Sequence, residues 1–208
     1  YIEEKDFYTD TLTVLNDSKY DNICFSTDDT VIYSKFSLQD ISIKENEVFS
    51  LRLGLNTLIQ DPHRGTVQPP LNRYTKNDNG TISWNWMDYD PLSNYGYPAA
   101  LDMHIFNREK IVGALQDKAF SNTNGLETAL VARSYIFSSI TSFPVSKAVN
   151  IPCNNMSTIT LKNTNFSYDM DYLNDQYLKG YTISLVLLMQ NKFAGCHQDV
   201  QLRMVKNG

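Results

Sequence analysis

The stretch from Ile23 to Tyr33, Ile-Cys-Phe-Ser-Thr-Asp-Asp-Thr-Val-Ile-Tyr, constrains this chain more than any other. A short apolar run, Ile23-Cys24-Phe25, gives way to two adjacent carboxylates, Asp28 and Asp29, and apolar residues then resume. Such a run bounded by polar residues predicts a strand buried on both faces. In open α/β sheets, ligand chemistry gathers at the carboxyl ends of the strands. Two acids side by side there repel one another and lose solvation, which a divalent cation with a phosphate ligand would offset. The alternative is a solvated Asp-Asp turn that closes the strand.

The 208 residues fit a single domain. A chain of this length buries roughly 70% of its unfolded surface and needs no disulfide or metal staple. A net charge of −5 and the absence of any Lys/Arg run argue against a nucleic-acid partner, which requires a basic stripe. Three cysteines (Cys24, Cys153 and Cys196) with no CxxC spacing point to reduced thiols, as in the cytoplasm. The longest apolar run, Ile183 to Met189, is too short to span a bilayer, so no transmembrane segment is expected. Four Asn-x-Ser/Thr triplets, at Asn16, Asn79, Asn155 and Asn165, read as chance matches in a chain rich in these residues.

Periodicity predicts a helix over Ile2 to Asn16, with Tyr8, Leu12 and Leu15 on one face, and a strand over Val48 to Leu55. Residues 60 to 80 are rich in Pro, Gly, Asn and Asp and read as a loop or hairpin region. Ile82, Trp84 and Trp86 alternate as one face of a strand, and so do Leu101, Met103 and Ile105, with Asp102 and His104 opposite. Helices are expected over Arg108 to Phe120, capped by Asn107, and over Leu126 to Phe137. A short strand is expected at Ile159 to Leu161. A helix over Tyr168 to Lys179 ends at Gly180, and a β-prone run follows over Tyr181 to Met189.

In this order, the pieces resemble the bacterial and viral glycosyltransferase-like proteins of the GT-A fold. The resemblance rests on Phe25-Ser-Thr-Asp-Asp-Thr-Val-Ile-Tyr33, Phe49-Ser-Leu-Arg-Leu-Gly54, the Trp84/Trp86 strand and Tyr97-Pro-Ala-Ala-Leu-Asp-Met-His-Ile-Phe106. It continues through Asn124-Gly-Leu-Glu127, Leu173 to Tyr181 and His197-Gln-Asp199, and spans about residue 5 to residue 204. It implies an α/β fold: a GT-A-like, Rossmann-related mixed sheet flanked by helices, with an aromatic-rich loop and hairpin region. The nucleotide-binding portion that would precede the first helix is missing, so residues 1–208 read as the metal- and acceptor-binding part of a longer protein.

The implied activity is metal-dependent transfer of a sugar from a nucleotide-sugar donor to a glycan or other hydroxyl acceptor. Asp28 and Asp29 take the place of the DxD-type motif that holds Mn²⁺ or Mg²⁺, and His197 completes the metal shell, with Asp199 behind it. Thr30 stands where related sequences tend to carry a third acid, which weakens the metal site. Arg52 is placed to reach the diphosphate, or to pair with an acid at the core edge. Glu127 is the candidate general base, against a capping-box role behind Asn124. Asp102 is a second catalytic candidate facing the acceptor. Trp84, Trp86 and Tyr97 are the candidate acceptor-binding residues, although aromatics on an alternating strand are more often core. His104 reads as a satisfied core histidine. No P-loop, GxGxxG, GxSxG or HExxH is present, and no base is assignable to any cysteine. The competing reading is a non-catalytic carbohydrate-binding or assembly module of degenerate glycosyltransferase fold.

Overall fold

The structure, a computed structural model, describes residues 3–61, 66–151, 168–198 and 200–206. In chain order the first half holds α1 (Phe7–Asp17), β1 (Asn22–Cys24), β2 (Thr30–Ile32), β3 (Glu47–Ser50), β4 (Ile59–Asp61), β5 (Thr66–Val67), β6 (Thr75–Lys76) and β7 (Ile82–Trp84). The second half holds β8 (His104–Asn107), α2 (Arg108–Leu115), α3 (Thr123–Val131), β9 (Ser139–Ser142), β10 (Ala148–Asn150), α4 (Met170–Leu178), β11 (Tyr181–Ile183), α5 (Leu185–Met189) and β12 (Met204–Lys206). Among the described residues, no helix is long and apolar enough to cross a membrane.

A six-stranded mixed sheet in the order β1-β8-β3-β9-β7-β6 organises the molecule, and within it only β3 and β9 run parallel. Pleating sends neighbouring residues to opposite faces. Val48 thus lies opposite Phe106 and Ile140, and these three pack with Leu15, Ile111, Leu115, Leu126 and Leu130 of α1, α2 and α3. Phe49, opposite Ile105, joins Leu51, Met103 and Ala148 on the other face, which is covered by Phe36, Ile41, Ile43 and Phe143. A smaller two-stranded sheet, β2 with β10, packs against Leu188 of α5, Phe193 and Val200.

Local chemistry sets most boundaries. The Asp6 carboxylate accepts from the Thr9 N–H at 2.8 Å and starts α1, while Asn107 and Asp169 cap α2 and α4. Gly180, at φ +81°, follows α4 in the left-handed conformation that glycine adopts without strain.

Several expectations are corrected. β1 is a three-residue edge strand paired with β8, and it is not buried on both faces, because Asn22 and Cys24 are exposed and only Ile23 turns toward the core. The strand after Glu47 stops at Ser50, although Leu51, Arg52 and Leu53 remain buried. Trp86 leaves the strand plane and opens a 3₁₀ turn, with Asn85 as its cap. The third helix begins at Thr123 with Asn122 as cap and ends at Val131, six residues short of Phe137. The β-prone run over Tyr181 to Met189 splits at Ser184, whose hydroxyl accepts from the Leu187 N–H and starts α5. The expected strand at 159–161 lies outside the described residues, as do Cys153, Asn155, Asn165 and Asp199.

Candidate functional site

The turn after β1 carries Thr27, Asp28, Asp29 and Thr30, closed by the Thr30 N–H on the Thr27 carbonyl at 3.2 Å. Asp28 is exposed, with no hydrogen-bond or ion-pair partner among the described residues. Asp29 is half-buried, and its Oδ1 accepts from the Asn150 side chain at 2.6 Å. The solvated-turn reading therefore describes Asp28, whereas Asp29 belongs to the interior network.

Asp102 enters from the opposite side of that turn. The residue after it, Met103, has φ 53°, a left-handed conformation costing a non-glycine residue about 1–2 kcal/mol. Two backbone bonds hold it there: its N–H to Phe25 O at 2.9 Å, and Leu51 N–H to its carbonyl at 3.0 Å. The kink breaks the expected alternation. Leu101 faces the helices, while Met103 and Ile105 face the other side of the sheet. Strain held by surrounding structure is a feature of functional sites.

Five side chains from five segments then close a ring. Thr27 Oγ1 donates to Asp102 Oδ1 at 2.9 Å, and Arg52 Nη1 reaches Asp102 Oδ2 at 3.1 Å. The same Nη1 lies 3.3 Å from His197 Nε2, and His197 Nδ1 lies 3.1 Å from Asn150 Oδ1. Asn150 Nδ2 returns to Thr27 Oγ1 at 3.1 Å. Arg52 is 4% exposed, so its charge sits in an environment where removing one partner of a pair typically costs ~3–5 kcal/mol. Burial opposes that charge, but Cys196, Asp102, Glu127 and Tyr97 together hold the guanidinium above its ordinary pKa.

Glu127 belongs to the same neighbourhood. Burial pushes its carboxyl up, Arg52 pulls it down and Asp102 pushes it up again, with a raised pKa as the result. The Leu101 N–H and the Tyr97 side chain also favour its charged form. Tyr97 is in turn raised, by burial first and then by the Glu127 charge. The capping-box role does not hold: Asn122, and not Asn124, accepts from the Gly125 N–H at 2.9 Å, so Glu127 lies beyond the capped turn.

Asp29, Arg52, Tyr97, Asp102, Glu127 and His197 are thus brought together, and Thr27 and Asn150 join them. Asn150 carried no signal in a chain rich in asparagine, and Thr27 was masked by the acids beside it. The two tryptophans are placed otherwise. Trp84 is 3% exposed, its indole N–H on Tyr95 O at 2.9 Å, and Trp86 donates to Phe137 O at 2.9 Å while packing on the main core. Both serve the core: Trp84 from the inward face of β7, and Trp86 from the 3₁₀ turn that follows it, partly buried against the same cluster. His104 is also buried, its Nδ1 3.2 Å from Pro98 O. The Cys196 thiol lies under Arg52, pushed up to about 11 by burial, which suits packing and not nucleophilic attack.

The residues match the implied cation only in part. Asp28 and Asp29 are hard oxygen donors of the kind Mg²⁺ or Mn²⁺ takes, with phosphates and water completing the shell. His197 does not fit as a further ligand, because its Nε2 faces the Arg52 guanidinium, a permanent cation. Among the described residues, no three His, Cys, Asp or Glu side chains are grouped to hold an ion. Comparisons of the chain with protein-family models, with curated proteins and with solved structures return no match.

Proposed function

We propose that the chain carries the acceptor side of a glycosyl-transfer reaction, moving a sugar from a nucleotide-sugar donor onto a hydroxyl acceptor. One observation carries this reading: two neighbouring carboxyls held in opposed environments. Asp102 is paired with Arg52 and Thr27, whereas Glu127 is raised by burial. The buried carboxyl, with its raised pKa, suits the part of a general base, and the ion-paired one the part of a fixed grip on hydroxyls.

Glu127 accepts the proton of the acceptor hydroxyl as that oxygen attacks the sugar. Asp102 grips acceptor hydroxyls, its orientation held by Thr27 and Arg52. Arg52 places a fixed positive charge beside the reacting groups, in a dry setting where electrostatic stabilisation is strongest. A Mg²⁺ or Mn²⁺ ion, when bound on Asp28 and Asp29, supplies Lewis acidity against the charge of the departing diphosphate. GT-A identity of the sheet belongs to this proposal.

The test is Glu127→Gln, which keeps the shape and removes the base. Transfer, read by mass spectrometry of an acceptor panel against several nucleotide sugars, should fall by roughly 10²–10⁴ while the melting temperature holds or rises. Undiminished transfer in Glu127→Gln would refute the assignment.

A further inference from the structure

We infer that Asn150 sets the tautomer of His197 and thereby makes His197 a positioning residue for Arg52 instead of a ligand for a cation. The consequence for catalysis rests on the glycosyl-transfer reading above; the geometry does not. Asn150 is 5% exposed. Its Nδ2 lies 2.6 Å from Asp29 Oδ1, and a carboxylate oxygen only accepts, so the amide can face that side with its NH₂ alone. Its Oδ1 is therefore the atom 3.1 Å from His197 Nδ1, and Nδ1 carries the proton.

His197 Nε2 then carries no proton and can accept. Arg52 Nη1, which can only donate, sits 3.3 Å from it and 3.1 Å from Asp102 Oδ2. One guanidinium nitrogen thus spends its two hydrogens on the histidine and on the carboxylate. The main chain makes the arrangement rigid. Asn150 N–H donates to Cys196 O at 2.8 Å, and Gln198 N–H donates to Asn150 O at 3.0 Å, which clamps His197 on both sides. In the opposite tautomer, Nε2–H would face the guanidinium donor to donor, and Arg52 would lose its seat against Asp102.

The experiment is a long-range ¹H–¹⁵N correlation spectrum of the whole chain near neutral pH, with His197 assigned by its absence in His197→Gln. His197 should show a protonated Nδ1 and a bare Nε2. Asn150→Ala should lose that pattern. In transfer assays Asn150→Ala should lower kcat by roughly tenfold or more with KM little changed, the size expected of a residue that orients another. A protonated Nε2 in the unaltered chain, or an unchanged spectrum in Asn150→Ala, overturns the inference. Should the unaltered chain transfer no sugar, the spectrum still decides the tautomer, and the glycosyl-transfer reading alone falls. If Asn150→Ala does not fold, the spectrum of the unaltered chain decides.

Discussion

Acid should expose His104 as a weak point, and the size of the effect follows from its surroundings. The ring is fully buried, and its Nε2 has no hydrogen-bond partner among the described residues. A second proton would sit there unpaired in a dry interior, facing the Arg52 charge. Burial first, and Arg52 second, lower its pKa to about 3. The ordinary value in an unfolded chain is ~6.5. As pH falls, the unfolded chain takes up the proton first, so stability is intact above the unfolded value and is lost between the two. Over the interval from about pH 7 to about pH 4 that single group should account for about 3 kcal/mol, at ~1.4 kcal/mol per pKa unit. The assay is urea denaturation across that range for the unaltered chain and for His104→Asn, whose amide can still donate to Pro98 O. Contributions from all other groups cancel in the comparison. The unaltered chain should lose about 3 kcal/mol more than the variant. Parallel curves would show that His104 is not held neutral, and the argument would fail.

Other changes test the placement of single residues. Asn122→Ala should cost ~1 kcal/mol of stability by denaturant titration, and Asn124→Ala a few tenths at most, because only Asn122 caps α3. Gly96→Ala should destabilise by about 1–3 kcal/mol in the same assay, since the added Cβ would come within 2.2 Å of the Asp90 carbonyl oxygen. Trp84→Ala should cost ~3–5 kcal/mol in unfolding measurements and leave glycan affinity of the remaining folded protein unchanged, as befits a core residue.

Wherever a structural choice is local, the residues of this chain announce it. Asn107 and Gly180 mark helix ends because a side-chain acceptor or a left-handed backbone acts within one turn of its own position. The apolar run at Val48 and Phe49 marks a strand, and the structure adds that both of its faces are covered. Asp29, Arg52, Asp102, Glu127 and His197 stood out by residue type and by resemblance, but their meeting in one hydrogen-bonded neighbourhood was not legible. Nor was competition between local signals. Ser184 turning a β-prone run into α5, and Asn122 displacing Asn124 as a cap, depend on which of two nearby options the rest of the fold rewards.

The sequence by itself determined the strand at Val48, the helix ends at Asn107 and Gly180 and the acid pair in its turn, because each depends on residues a few positions apart. Only the tertiary structure decided that Trp84 and Trp86 fill the core, that Met103 bends the chain at Asp102, and that His197 meets Arg52. Those contacts join groups as far apart as Arg52 and His197, 145 residues along the chain, or Thr27 and Asn150, 123 residues apart. No local propensity reaches across such a separation. Packing of the two sheets brings the groups within hydrogen-bond range, and the cost of leaving a buried charge or amide unpaired then makes the ring close.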